Sequence, residues 1–191
     1  MNTSIDKLIE TTQALLWERG YVGTSPRAIQ DRAGVGQGSM YHHFRTKAAL
    51  AQAAEERSAA QLIEEVQQLL DGPGDPLDKV VAYLRRERDI LKGCRIGRLA
   101  SDPEVVADNA LRKPLEDTFT WVTEHLAALL REAQANGRLP AGLDSQDLAA
   151  TVLAVRQGGY VLARAANSTT PYERAIEGLI SLLTNKVIAS R

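Results

Sequence analysis

The amino-acid sequence predicts an all-α chain of about nine helices, with an N-terminal three-helix head of helix-turn-helix form and a larger helical body behind it. Three observations carry this. Apolar residues recur at three- and four-residue spacing in long stripes, the mark of a helix with one buried face. Breaks rich in Gly and Pro separate the stripes, most clearly Asp71-Gly72-Pro73-Gly74-Asp75-Pro76. No stretch of any length alternates apolar and polar residues as a half-buried strand would. With 191 residues, 44% apolar and 25% charged, the chain can bury a sizeable core.

Taken in order, Ile5, Leu8, Ile9, Thr12, Leu15 and Leu16 form the stripe of a first helix that Gly20 ends. Ser25 is a natural N-cap, and Pro26 suits the first helical position of a short second helix, which reaches Ala33 and stops at Gly34. A third begins near Gly36, where Met40 and Phe44 share an inward face while Gln37, Gly38, Tyr41 and His42 look outward. Thr46 caps a fourth helix from Lys47 to Leu70, uninterrupted by Gly or Pro. Pro76 opens a fifth, expected to run to about Leu91, with a solvated run Arg85-Arg86-Glu87-Arg88-Asp89. Gly93 to Ala100 reads as a short helical piece closed by Asp102-Pro103. The stripe from Leu111 to Ala133 is a long helix ended by Asn136-Gly137. Asp144 or Ser145 caps the next, whose Leu148 to Val155 is apolar nearly all round and so is expected to be covered on both sides. The last starts near Pro171 and carries Tyr172, Ile176, Leu179, Ile180, Leu183 and Val187.

Two short helices joined by a Gly-containing turn are the helix-turn-helix pattern, whose second helix enters the major groove of DNA. Gln37 has the amide to read a base edge, and Gly38 lets backbone approach. Tyr41, His42, Arg27 and Lys47 have the chemistry for phosphate contact. The same spacing also fits an ordinary exposed helix pair with a polar face.

The motifs G-Y-V-G-T-S, A-x-x-A-G-V-G, Y-H-H-F and T-K-A-A-L, in this order over the first fifty residues, resemble the DNA-binding domain of the TetR family of bacterial transcriptional regulators. G-C-x-x-G-x-x-A at Gly93–Ala100 is similar to a phrase of one branch of that family. The resemblance implies a homodimeric repressor with a helix-turn-helix domain over 1–46 and an effector-binding and dimerisation domain over 47–191. Double-stranded, near-palindromic operator DNA and a small-molecule effector are the implied partners. By position it assigns DNA contacts to Ser25, Arg27, Gln37, Ser39, Tyr41, His42 and Lys47. Gly36 stands where the family often has a Ser or Thr cap, and Pro26 replaces a residue with a backbone amide.

Charge agrees in sign: residues 1–50 hold six Lys and Arg against four Asp and Glu, leaving 17 against 20 in the rest. The single Cys makes no internal disulfide and fits a reducing cytoplasm, and no run is long enough to cross a membrane. Adjacent His42 and His43 point about 100° apart on a helix and lack Cys or carboxylate partners, so no metal site is expected. Without a P-loop, dinucleotide fingerprint or Ser elbow, neither a cofactor nor enzyme activity is expected. The other reading is a helical small-molecule-binding protein or enzyme that does not bind an operator. Polar residues within apolar stripes, with Cys94 and Ile96, are the effector-pocket candidates: Trp121, His125, Arg156, Gln157 and Tyr160. A buried Arg156 needs an internal carboxylate or an anionic ligand group. Val152, Gly159, Leu162, Ile176, Leu179 and Leu183 on the last two helices are the expected dimer interface.

Overall fold

A computed structural model describes residues 3–86 and 89–184. Among them are nine α-helices and no strand. Contacts divide the chain into two compact units, Met1–Leu62 with Cys94–Thr118, and Ile63–Gly93 with Phe119–Arg191.

The first unit contains α1 (Ser4–Arg19), α2 (Pro26–Ala33), α3 (Gln37–His43), the first part of α4 (Lys47–Leu70), α6 (Pro103–Ala107) and the start of α7 (Asn109–Ala135). Local chemistry sets the boundaries. Thr3 and Asp6 form a reciprocal capping box at the start of α1. The Ser25 hydroxyl accepts the Ala28 amide, and Gly34 ends α2 in the left-handed conformation at φ 64°. The Thr46 hydroxyl accepts the Ala49 amide, as expected of a cap for α4. Leu8, Leu15, Ile29, Met40 and Leu50 fill the core beneath these helices, each contributing about 1.5–3 kcal/mol by leaving water.

One local reading changes and a second is extended. Residues 94–100 are not a short helix but a chain of turns leading into a 3₁₀ turn at Leu99–Ser101. Asp102 does close that 3₁₀ turn, its amide donating to the Leu99 carbonyl, but it also opens a helix: its side chain accepts the Glu104 amide and Pro103 begins α6. An Asp-Pro pair is as good an N-cap and first residue as it is a stop.

The second unit contains α5 (Pro76–Arg85), most of α7, α8 (Ser145–Ala166) and α9 (Thr170–Thr184), with the end of α4. Asp75 and Asp144 cap α5 and α8 through paired backbone amides. α5 stops at Arg85, short of Leu91, and Glu87, Arg88 and Val187 lie outside the described residues. α8 and α9 pack along their lengths as an antiparallel pair closed by left-handed Asn167. Gly159 makes that packing possible, because a Cβ there would come 2.8 Å from the Tyr172 ring. No described helix is long and apolar enough to cross a membrane.

Candidate functional site

The face that α3 turns outward is set by what it turns inward. Met40 is fully buried on the core of the head, so Gln37, Gly38, Tyr41 and His42 are exposed and Ser39 is half-buried. Nothing lies within 4 Å of where a Cβ on Gly36 or Gly38 would sit, leaving the N-terminal turn of α3 open to close approach. Arg27 is exposed on α2 and 3.7 Å from Asp31, an i,i+4 pair too wet to hold it. Arg45, which in the sequence is one basic residue in a turn with no motif to mark it, is also exposed next to this face.

Lys47 has a second task. Its Nζ donates to the Tyr21 carbonyl at 2.8 Å and sits 3.7 Å from the centre of the Tyr21 ring. An ammonium has three donors, so this anchorage leaves others for a phosphate. Ser25 likewise spends its hydroxyl as acceptor for Ala28 and keeps its proton to donate.

The turn between α1 and α2 is clasped from the 94–107 segment of the same unit. One carboxylate oxygen of Asp102 accepts the amides of Tyr21 at 2.8 Å and Val22 at 3.0 Å, while the other caps α6. Gly20, at φ 74°, makes room: a Cβ there would lie 3.1 Å from that oxygen. The Arg98 guanidinium donates to the Glu18 carbonyl at 2.8 Å, and Arg95 stacks over Trp17 at 4.6 Å. Cys94 and Ile96 are buried on this segment. Sequence reasoning missed the clasp, since no local pattern links residues eighty apart.

In the second unit Arg156 is 2% exposed. An internal carboxylate, one of the two partners expected for it, is not among its described contacts. Its guanidinium donates to the Tyr83 carbonyl and, at 3.3 Å, to the Tyr160 hydroxyl, and lies 4.4 Å from the centre of the Tyr83 ring. A carbonyl, a hydroxyl and an aromatic face engage Nη1, Nε and the ring face of the guanidinium, while Nη2 is buried with no hydrogen-bond partner among the described residues. Tyr160 stacks on Tyr172 at 4.8 Å. Trp121 stacks on His125 at 3.8 Å, with His125 Nδ1 bonded to the Trp121 carbonyl at 2.8 Å. Gln157 is half-buried. A cleft of about 410 Å³, within the range of small-molecule pockets, opens between the end of α5 and α9, lined by Leu84, Arg86, Ile90, Tyr172 and Ile176 among others.

Of the residues expected at a dimer interface, Val152, Gly159, Ile176, Leu179 and Leu183 are buried within the subunit, where α8 and α9 cover one another. They have little surface left to offer a partner. Leu162 is 54% exposed, and the residues that share its openness are Val161 at 64% and Leu182 at 76%. Ala154, Gly158 and Ala165 continue that stripe on α8, and Gly178 does so on α9.

Comparison with known proteins agrees with this architecture. Residues 8–54 match the family of bacterial regulatory proteins of the tetR type, and residues 76–179 match the tetracyclin repressor-like C-terminal domain. The chain is 25% identical to the transcriptional repressor NemR of Escherichia coli over 96% of its own length and 95% of that protein. It is 32% identical to the transcriptional regulator AcuR of Cereibacter sphaeroides over 70% of this chain and 64% of that one. The reduced form of NemR superposes with a TM-score of 0.81 at 25% identity, covering 92% of this chain and 94% of the other. A TetR regulator from Chloroflexus aurantiacus superposes with a TM-score of 0.85 at 26% identity, covering 96% and 95%. Head, body and helix order together place the chain in the TetR family of bacterial regulatory proteins.

Proposed function

We propose that this chain is a ligand-responsive transcriptional repressor that binds a near-palindromic operator as a homodimer and releases it when a small molecule occupies the body. The observation that carries the reading is the α3 face: Gln37, Gly38, Tyr41 and His42 lie exposed on a helix anchored by buried Met40, with Arg27 and Arg45 exposed on the flanking elements. An amide at the helix start suits a base edge, and the hydroxyl, imidazole and cations suit phosphates. Ser25, Ser39 and Lys47 complete the contact set. NemR, the repressor similar over nearly the whole chain, supports the same reading.

Residues 1–46 serve as the DNA-binding domain and 47–191 as the effector-binding and dimerisation domain, in the cytoplasm. No catalytic step or cofactor is invoked. The effector candidates of the second unit are Trp121, His125, Arg156, Gln157 and Tyr160. Cys94 and Ile96 belong to the segment that clasps the head, and we assign that segment the task of transmitting effector occupancy. An effector changes DNA affinity only through different affinity for the clasped and unclasped forms, and a coupling of about 1–3 kcal/mol corresponds to about 5- to 150-fold. The homodimer forms through the open stripe of Gly158, Val161, Leu162, Gly178 and Leu182.

Fluorescence anisotropy with DNA flanking the protein's own gene tests the reading. Tight binding that falls steeply with salt is expected. Absence of sequence-selective binding would favour a helical small-molecule-binding protein instead.

A further inference from the structure

Glu55, on the head-side part of α4, is the most anomalous group in the first unit. Its residue is 1% exposed, and neither carboxylate oxygen has a hydrogen-bond partner among the described residues. A carboxylate stripped of water and of donors is costly, whereas the neutral acid is tolerated.

The groups around it make ionisation harder still. Asp102, between the 3₁₀ turn and α6, and Asp108, between α6 and α7, lie within electrostatic reach, as does exposed Glu56 on its own helix. Burial first, and these carboxylates second, push the Glu55 carboxyl up to about 8. Tyr21, on the α1–α2 turn, feels Glu55 together with Glu104, Asp108 and Asp102, and burial with these charges raises its hydroxyl too. Lys47, on the same helix, is engaged on the carbonyl and ring of Tyr21, and the Arg112 guanidinium, beside Asp108, on the Val106 carbonyl and the Asn109 side chain.

Asp102 therefore faces two demands. As an anion it binds the Tyr21 and Val22 amides strongly, which holds the turn that leads into α2. A second negative charge in the same buried neighbourhood would repel it.

We propose that Glu55 is a proton-linked latch: the neutral acid stabilises the Asp102 clasp on the Tyr21–Val22 turn, and its ionisation loosens that clasp and weakens operator binding. The operator half of this inference rests on the regulator reading above. The chemistry involves only proton loss to solvent, with the negative charge left on Glu55 beside Asp102 and Asp108. A single linked proton limits the effect to about tenfold per pH unit per subunit above the midpoint.

The test uses the full-length protein and its Glu55→Gln variant, a neutral isostere, between pH 6 and 9. Three quantities are followed: the carbon-13 shift of the Glu55 carboxyl, hydrogen-exchange protection of the Tyr21 and Val22 amides, and affinity for a labelled duplex selected from random DNA by the protein itself. In wild type, carboxyl titration near pH 8 is expected, with a several-fold loss of amide protection and a parallel loss of affinity. Glu55→Gln should hold both constant over that range. A carboxyl already ionised at pH 6, or the same pH course of protection in both proteins, overturns the latch. The carboxyl titration is read on wild type alone, so it decides the matter even where Glu55→Gln folds poorly. Failure to bind DNA at any pH overturns the regulator reading, while the titration and exchange measurements still decide the latch.

Discussion

Gln37 and Lys47 both belong to the proposed DNA contact set, yet their surroundings assign them different energetics. Gln37 is exposed at the first residue of α3 and has an amide free to form two directed bonds with one base. Gln37→Ala should cost about 1–3 kcal/mol on the preferred base pair and little on others. Lys47 is half-buried and anchored to Tyr21, so its positive charge is held at a set place. Lys47→Ala should weaken all sequences alike and flatten the salt dependence by about one unit of slope. Anisotropy titrations against operator variants at several salt concentrations separate the two, and a change of operator preference in Lys47→Ala would contradict its assignment. Glu55 makes a prediction about stability. Its folded-state value near 8 lies above its ordinary 4.5. Relative to Glu55→Gln, its contribution to stability is therefore fully present below pH about 4.5 and is lost as pH rises through about 8. Thermal melting should show the variant gaining on wild type across that window, with the full advantage above pH 8. A constant difference at all pH values would show that Glu55 does not titrate there.

At the scale of elements, α8 and α9 show how one apolar pattern supports two different packings. Their helical stripes called for cover, and a partner chain was one way to provide it. The structure covers Ile176, Leu179 and Leu183 with α8 of the same chain, because Gly159 lets Tyr172 close against it. What remains uncovered is the stripe through Val161, Leu162 and Leu182, with Gly158 and Gly178 open beside it. Leu182→Asp should consequently dissociate the proposed homodimer and leave the subunit folded. Leu179→Asp should instead place a charge in the interior and destabilise the fold by about 3–5 kcal/mol. Sedimentation velocity with chemical denaturation distinguishes these outcomes, and a dimeric Leu182→Asp would remove the stripe from the interface. The α1–α2 turn belongs to this scale too. It is short and polar, and its order comes from a carboxylate eighty residues away.

For the whole molecule, a two-fold dimer bearing two helix-turn-helix heads should read half-sites separated by about one helical turn, roughly 34–36 Å, or a multiple of it. Footprinting on duplexes with the half-sites moved by about five base pairs, half of that turn, should show affinity lost there and regained at a full turn. Equal affinity at every spacing would argue against paired heads. Much of this architecture was legible in the residues, and for local reasons. Helix starts at Ser25, Pro76 and Asp144, the stop at Gly34 and the inward Met40 follow from capping, backbone freedom and the 3.6-residue period, all of which act within a few positions. The exposed α3 face was legible for the same reason. Long-range pairing was not. Which acid would clasp the Tyr21–Val22 turn, which groups would meet Arg156, and which leucines of α9 would stay open depended on segments that meet only in the folded chain. Periodicity says that a face must be buried but is silent about its partner. That choice was left to the tertiary structure, because close packing and hydrogen-bond geometry are satisfied by shape in three dimensions and leave no periodic trace along the chain.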